Sequence, residues 1–290
     1  MAAMGSDSCA VVMTFTGDLL LDRGVRERIQ SDGIDALFSP SVDSLFCNSD
    51  IVVSNLECPA THVKSPLNKW IVFRGDPEWL ADLKRHHITH LSLANNHSID
   101  QGREGLMDTV DEIAAAGIIP VGAGMNMNDA SKPILLTEKP RKVWLLASLR
   151  LSLENFPYLP ELPCVSQLEF SQLIQQIRLL KNEDPTCFVV VSLHWGGENT
   201  FHPLIQQVAE AHQIIDAGAD IIIGHHPHTL QPAEQFKGKW IFYSIGNFIF
   251  DALKTFHSTA CVVNIHLTKL HAEVKSIPVV IDHCTPVISK

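Results

Sequence analysis

Short apolar runs that end in polar, ligand-type residues recur along the chain. Val11–Phe15 leads into Thr16-Gly17-Asp18, and Asp50–Val53 into Ser54-Asn55-Leu56-Glu57. Ile88–Leu93 leads into Ala94-Asn95-Asn96-His97, Phe188–Leu193 into His194-Trp195-Gly196, and Asp220–Ile223 into Gly224-His225-His226-Pro227-His228. Runs of this length bounded by turn residues read as buried strands. Strands are also expected at Ile118–Val121 and Val143–Ala147. Helical spacing covers Asp22–Ile29, Pro77–Arg85, Gly102–Ala116, Ser166–Lys181 and Pro203–Gly218, the last closed by its glycine. This alternation predicts an α/β fold. Beyond the histidine-rich segment the pattern changes: Trp240–Ile245, Ala260–Leu267 and Val274–Ile281 follow without an intervening helix. That predicts a terminal antiparallel strand set and a two-sheet sandwich flanked by helices. Residues 149–164, rich in leucine and proline, read as a long excursion beside a substrate cleft. No linker interrupts the pattern, so residues 1–290 are expected to form one domain, with 1–8 as a tail or cloning remnant.

Five strand ends carrying Asp, Glu, Asn and His suggest a shared pocket, because open α/β sheets bind ligands outside the carboxyl ends of their strands. Histidine is the commonest metal ligand near neutral pH. If the backbone stays extended after Ile223, His226 and His228 point the same way and His225 points away. Pro227 stiffens the turn between them. The alternative for these imidazoles is a surface cluster, and for Asp18 a helix N-cap. Asn95 is expected to hold its turn by side-chain hydrogen bonds.

Bulk properties narrow the function. A chain of 290 residues with 46% hydrophobic and 19% charged residues supports a full globular core. The net charge of −10 and the lack of a basic run exclude a nucleic-acid footprint. Seven scattered cysteines form no C-x-x-C pair, which fits neither a disulfide framework nor a zinc knuckle and suits a reducing compartment. No run reaches the ~18 apolar residues of a membrane span. The amino terminus has no signal-peptide pattern, so a cytoplasmic location is expected.

Taken in order, Thr16-Gly-Asp18, Asn55-Leu-Glu57, Asn95-Asn-His97-Ser-Ile-Asp100, His194-Trp-Gly196, Gly224-His-His-Pro-His228 and Ser244-Ile-Gly-Asn-Phe-Ile-Phe-Asp251 resemble the CapA (PgsA) family of poly-γ-glutamate capsule biosynthesis proteins, itself similar to the calcineurin-like metallophosphoesterases. The resemblance runs from about residue 13 to 251. It implies a four-layer α-β-β-α sandwich with one or two divalent ions (Mn, Fe or Zn) at the sheet ends. Carried over by motif, Asp18 and His228 would bind one ion and Asn96, His194 and His226 the other. Glu57 would bridge the two, and His97 would be the non-ligand general acid or orienting group. Metallophosphoesterases open with Asp-x-His, whereas here Leu20 stands at the histidine position, leaving the first metal short of a ligand.

The resemblance implies a metal-dependent hydrolase using a metal-bound hydroxide on a phosphoester or a γ-glutamyl amide. The alternatives are a non-hydrolytic accessory of polymer synthesis with capsule-synthesis partners, and a metal-assisted peptide epimerase. The expected substrate is small and anionic or polyglutamate-like. Arg23, Arg103, Glu198 and Asn247 are candidate substrate contacts, with Lys64, Lys69 and Arg74 of the 60–76 loop beside them.

Overall fold

A computed structural model describes residues 10–152, 157–251 and 254–289. Two sheets stack face to face. The first runs Thr285–Ile288, Ala272–Asp282, Thr259–Leu267, Val11–Leu19, Ile51–Leu56, His90–Ser92, Ile119–Val121, with Asn247–Ile249 branching onto the end of Val11–Leu19. The second runs Ala233–Phe236, Lys239–Phe242, Ile221–His225, Phe188–His194, Val143–Leu149, Ile134–Thr137.

Both faces of the central strands are apolar, and strand alternation divides their side chains between layers. Met13, Phe15, Val53, Val190, Ile221 and Ile223 fill the space between the sheets. Val52 and Leu56 face outward onto Val25, Ile29, Phe46, Leu80, Leu83 and Ile113 of the helices Arg23–Asp32, Pro40–Cys47, Leu80–Arg85 and Gly102–Ala115. On the opposite side Val189, Val191 and Ile222 meet Leu173, Ile177, Ala211 and Ile214 of Phe170–Glu183 and Ile205–Ala217. The result is the expected α-β-β-α sandwich. Each fully buried aliphatic contributes about 1.5–3 kcal/mol, so the three apolar layers supply the main driving force.

Register brings the strand ends together. Val11–Leu19, Ile51–Leu56 and His90–Ser92 are parallel, with Asp18 opposite Asn55. Phe188–His194 and Ile221–His225 are also parallel, with His225 opposite His194. The carboxyl ends of both sheets therefore open at the same end of the sandwich.

Some elements depart from expectation. Thr259–Leu267, Ala272–Asp282 and Thr285–Ile288 do form an antiparallel set on the first sheet. Lys239–Phe242 does not join it; it extends the second sheet parallel to Ile221–His225. The apolar run there is identical in kind to the others, and only its neighbour decides its direction. The helix Phe170–Glu183 starts at Phe170, not Ser166, because Gln172 accepts from the Glu169 amide at its start and Cys164–Val165 pair with Ala123–Gly124. The helix Ile205–Ala217 starts at Ile205, not Pro203, where the Leu204 amide donates to Gln207. Pro77–Trp79 is a 3-10 turn ahead of Leu80–Arg85. The helix Pro40–Cys47 went unread, although Ser39 caps it with Pro40 in its first turn. Residues 1–8, read as a tail, lie outside the described residues, as does part of the 149–164 excursion.

Two glycines set how closely the layers approach. A Cβ on Gly17 would fall on the Gly246 carbonyl oxygen and lie 2.9 Å from the Asn247 carbonyl carbon. A Cβ on Gly224 would fall on the Tyr243 carbonyl, with Trp195 Nε1 at 2.7 Å. Backbone cannot yield as a flexible side chain can. Gly17→Ala is expected to lower unfolding free energy by at least the ~1–3 kcal/mol of an overpacked core. Urea denaturation checks this; an unchanged midpoint would show that Val11–Leu19 and the Gly246 turn do not meet as described.

Candidate metal centre

The end of Val11–Leu19 places Asp18 fully buried between the two sheets. Asn55 Nδ2 donates to Asp18 Oδ1 at 2.8 Å. His225 Nδ1 lies 3.1 Å from the same oxygen, and His228 Nδ1 is 3.3 Å from Asp18 Oδ2. Glu57 follows the second strand and is tied in by its amide, which donates to Leu19 O at 2.8 Å. His228 Nε2 is 3.4 Å from Glu57 Oε1, and His194 Nε2 is 3.9 Å from that atom. Asn96 Oδ1 is 2.9 Å from His194 Nε2. The His194 and His226 rings lie 4.9 Å apart.

Two donor sets emerge, Asp18–Glu57–His228 and Glu57–His194–His226, each with ligand atoms within 4.8 Å of one another. Glu57 is common to both. Its two carboxylate oxygens are buried without a hydrogen-bond partner, as is Nδ1 of His226. Orphaned buried polar atoms are costly, and carboxylate oxygens facing imidazole nitrogens suit a divalent cation. The residues present therefore fit metal binding.

Electrostatics follow from burial. Burial and the nearby Asp18 charge push the Glu57 carboxyl well above the usual range. Burial would raise Asp18 too, but hydrogen bonds from His225 and His228 outweigh it and hold Asp18 well below. Burial would depress His228, yet Glu57 and Asp18 raise it to about 10. Burial, reinforced by the His228 charge, lowers His226 to about 3, and burial beside His226 holds His194 well below its ordinary value. Two neutral imidazoles and two carboxylates thus face one space.

His97 stands at the mouth. Asn95 Oδ1 accepts from the amides of His97 and Ser98, while Asn95 Nδ2 donates to Asn55 Oδ1 and Leu56 O, so Asn95 holds the turn as expected. His97 Nδ1 is 2.8 Å from Asp100 Oδ2. Asp100 also accepts from Phe73 N at 2.7 Å and from Lys69 Nζ at 2.7 Å, a fully buried pair. Lys69 is thus internal, as is Arg74, which donates to Thr61 O and pairs with Asp76; neither faces the cleft as expected. Lys64 is exposed.

Of the candidate substrate contacts, Arg23 and Glu198 line one cavity of about 180 Å3 together with His97 and His228. Asn247 Oδ1 lies 2.9 Å from His228 Nδ1 and positions that imidazole. Arg103 donates instead to the carbonyls of Pro157 and Pro163, bracing the excursion. Asp22, not Asp18, caps the first helix, accepting from the Arg23 amide at 2.9 Å. Leu20 is buried in the apolar layer.

The expectation that His225 faces away is corrected: it contacts Asp18. The alternation argument needs extended backbone, and His226 and His228 adopt φ of 96° and 56°. Such left-handed residues typically cost about 1–3 kcal/mol each and cluster at functional sites. Asn55, Asp100 and Lys69 were also missed as supporting residues. Asn55 and Asp100 lay within the quoted motifs, whereas nothing in the spacing tied Lys69 to Asp100.

A family model described as Bacterial capsule synthesis protein PGA_cap matches residues 12–252. The chain is 36% identical over 260 residues to the PGA biosynthesis protein CapA of Bacillus subtilis (strain 168), covering 88% of this chain and 67% of that protein. It is 34% identical over 267 residues to the Capsule biosynthesis protein CapA of Bacillus anthracis, covering 89% of this chain and 64% of that one. The chain thus spans about two thirds of the length of these relatives. In fold it is similar to a putative 5'-nucleotidase from Staphylococcus aureus in complex with alpha-ketoglutarate, with a TM-score of 0.56 at 13% identity over 97% of this chain and 55% of that one. Among the described residues no helix is long and apolar enough to cross a membrane. The extent of the family match and the identity to these relatives place the chain in the bacterial capsule synthesis protein family PGA_cap, on a metallophosphoesterase-like fold.

Proposed function

We propose that this chain is a divalent-metal-dependent hydrolase that cleaves a γ-glutamyl amide, with a phosphoester as the competing substrate class. The observation that carries this reading is the sharing of Glu57, with both its oxygens unpartnered, between two imidazole-containing sets. Asp18, Glu57 and His228 would hold one ion, and Glu57, His194, His226 and Asn96 the other. Manganese, iron or zinc suits this mixed oxygen and nitrogen set. When bound, such an ion supplies Lewis acidity and a water acidic enough to act near neutral pH.

The chain's own residues do the rest. Asp18 is fixed by Asn55 and His225, so its free direction is toward the shared space. His97, bonded through Nδ1 to Asp100, leaves Nε2 for a proton at the departing group. Phe73 packs on the His97 ring at 4.4 Å and limits its rotation. Leu20 gives the first set no further donor, so the second set is expected to be the tighter one. A γ-glutamyl amide is placed first because the relatives are named for PGA biosynthesis and because Glu198 in the cleft disfavours a dianionic group.

Elemental analysis of chain purified without chelator is expected to find one to two transition metals, lost in a His226→Ala/His228→Ala variant. Absence of bound metal after reconstitution with Mn, Fe and Zn would leave an accessory role in polymer synthesis.

Metal should also bring out the effect of Glu57→Gln. Without metal, the Glu57 carboxyl is already pushed well above the usual range and its oxygens lack hydrogen bonds, so a neutral amide there is expected to change stability little. At about a hundredfold excess of metal over Kd the parent gains about 2.7 kcal/mol, and the variant gains far less. Thermal unfolding with and without Mn2+ measures both; equal gains would remove Glu57 from the site.

His97→Ala should lower kcat by about 10²–10⁴-fold, the usual contribution of a general acid, with metal content unchanged. Undiminished turnover would remove His97 from proton transfer.

A further inference from the structure

The cavity that holds His97 and His228 also carries charged side chains of both signs: Arg23, and at its exposed rim Lys254 and Glu198. Arg23 is built into position. Its backbone takes φ 52°, a conformation costly for an L-residue. Its guanidinium lies 5.1 Å from the Phe73 ring and 5.6 Å from the Phe250 ring, and Nη2 pairs with Asp251. Arg23 Nε is buried without a hydrogen-bond partner. An exposed helix arginine with no task would need neither the strained backbone nor the two aromatic walls.

The charge balance selects the ligand. Asp251 pairs with the Arg23 guanidinium, and Asp18 and Glu57 take up the charge of His228, so two of the three lining cations are already balanced. With Glu198 as the lining carboxylate beside Lys254, the cavity has little excess positive charge for a phosphate dianion. It is matched instead to a group that carries one negative and one positive charge close together. At about 180 Å3 the space is of single-amino-acid size, so a ligand within it lies near all three side chains.

We propose that this cavity is a subsite for the α-amino-acid head of an amino-terminal γ-glutamyl residue, with its carboxylate on Arg23 and Lys254 and its ammonium on Glu198. In such a residue the amine and carboxylate share one carbon, and the γ-carbonyl carries the amide bond. The head occupies the charged cavity, and the γ-amide reaches toward His97 and the carboxylate–imidazole cluster. The chain then engages free amino ends of a γ-linked chain and not its interior. The identity of the bond cut rests on the hydrolase reading above; recognition of the head does not.

Calorimetric titration of the Mn2+-loaded full chain with γ-glutamyl-glutamate, its N-acetyl derivative and phenyl phosphate tests this. The parent is expected to bind the dipeptide about tenfold or more tightly than the acetylated form, the loss of one charge-assisted contact. Arg23→Lys and Lys254→Ala should each weaken the dipeptide with metal content and unfolding temperature retained. Glu198→Gln should erase the preference for the free amine. No binding of the dipeptide by the parent, equal binding of the acetylated form, tighter binding of phenyl phosphate, or unchanged affinity in Arg23→Lys would each overturn the proposal. A chain that shows the expected binding pattern yet cleaves nothing refutes hydrolysis and leaves the subsite standing. One that cleaves γ-glutamyl amides without regard to the free amine refutes the subsite and leaves hydrolysis standing.

Discussion

Asp18 and Glu57 are both completely buried at one end of the sandwich, and two neighbouring carboxylates in such a place cannot both stay ionised without positive charge beside them. Within the chain that charge comes from His228, which reaches both. It satisfies Asp18, which also receives Asn55 and His225, but leaves both Glu57 oxygens without a hydrogen bond. Most buried polar groups in folded proteins are paired. A carboxylate held this way is a standing cost to the apolar layers, and the cost falls when a cation enters.

The surrounding architecture serves that arrangement. Gly17 and Gly224 let the backbone segments Gly246–Asn247 and Tyr243 approach the strand ends within van der Waals range, which no side chain would allow. Asn55 and Asn95 form a ladder from Asp18 to the His97 turn, so the ligand-bearing loops are positioned by side-chain amides and not by loop length. Lys69 and Asp100 then bind the 60–76 loop to the same turn. Each support is neutral or internally paired, whereas both Glu57 oxygens and His226 Nδ1 between the donor sets have no partner.

Much of this was legible in the sequence. The apolar runs marked the central strands, and the polar residues following them marked the pocket, because both signals are local. Strand direction was less legible: Trp240–Phe242 reads like Ala260–Leu267, yet one is parallel in the second sheet and the other antiparallel in the first. Side-chain direction was legible only while the backbone stayed extended. The left-handed residues His226 and His228 break the alternation, which is why His225 was turned the wrong way. Lys69 could not be distinguished from its neighbour Lys64 by spacing; burial against Asp100 separates them. The ligand roles came from resemblance; what the geometry adds is that Asp18, Glu57, His194, His226 and His228 come together.

The substitution of Leu20 for a histidine has a consequence that the geometry makes specific. Leu20 packs into the helix-side apolar layer, and its amide donates to Ile249 O at 2.8 Å, so the chain there is committed to the core and to the branching strand. His225 approaches Asp18 from the other sheet, but its Nδ1 is spent on the same Asp18 oxygen that Asn55 reaches. It therefore orients the carboxylate and does not replace the missing donor. The two halves of the centre are unequal: the Asp18 set offers two carboxylates and one imidazole, and the other set one carboxylate and two imidazoles with Asn96 beside His194. Leu20 therefore contributes apolar packing and a backbone hydrogen bond to the fold, and no donor to the site.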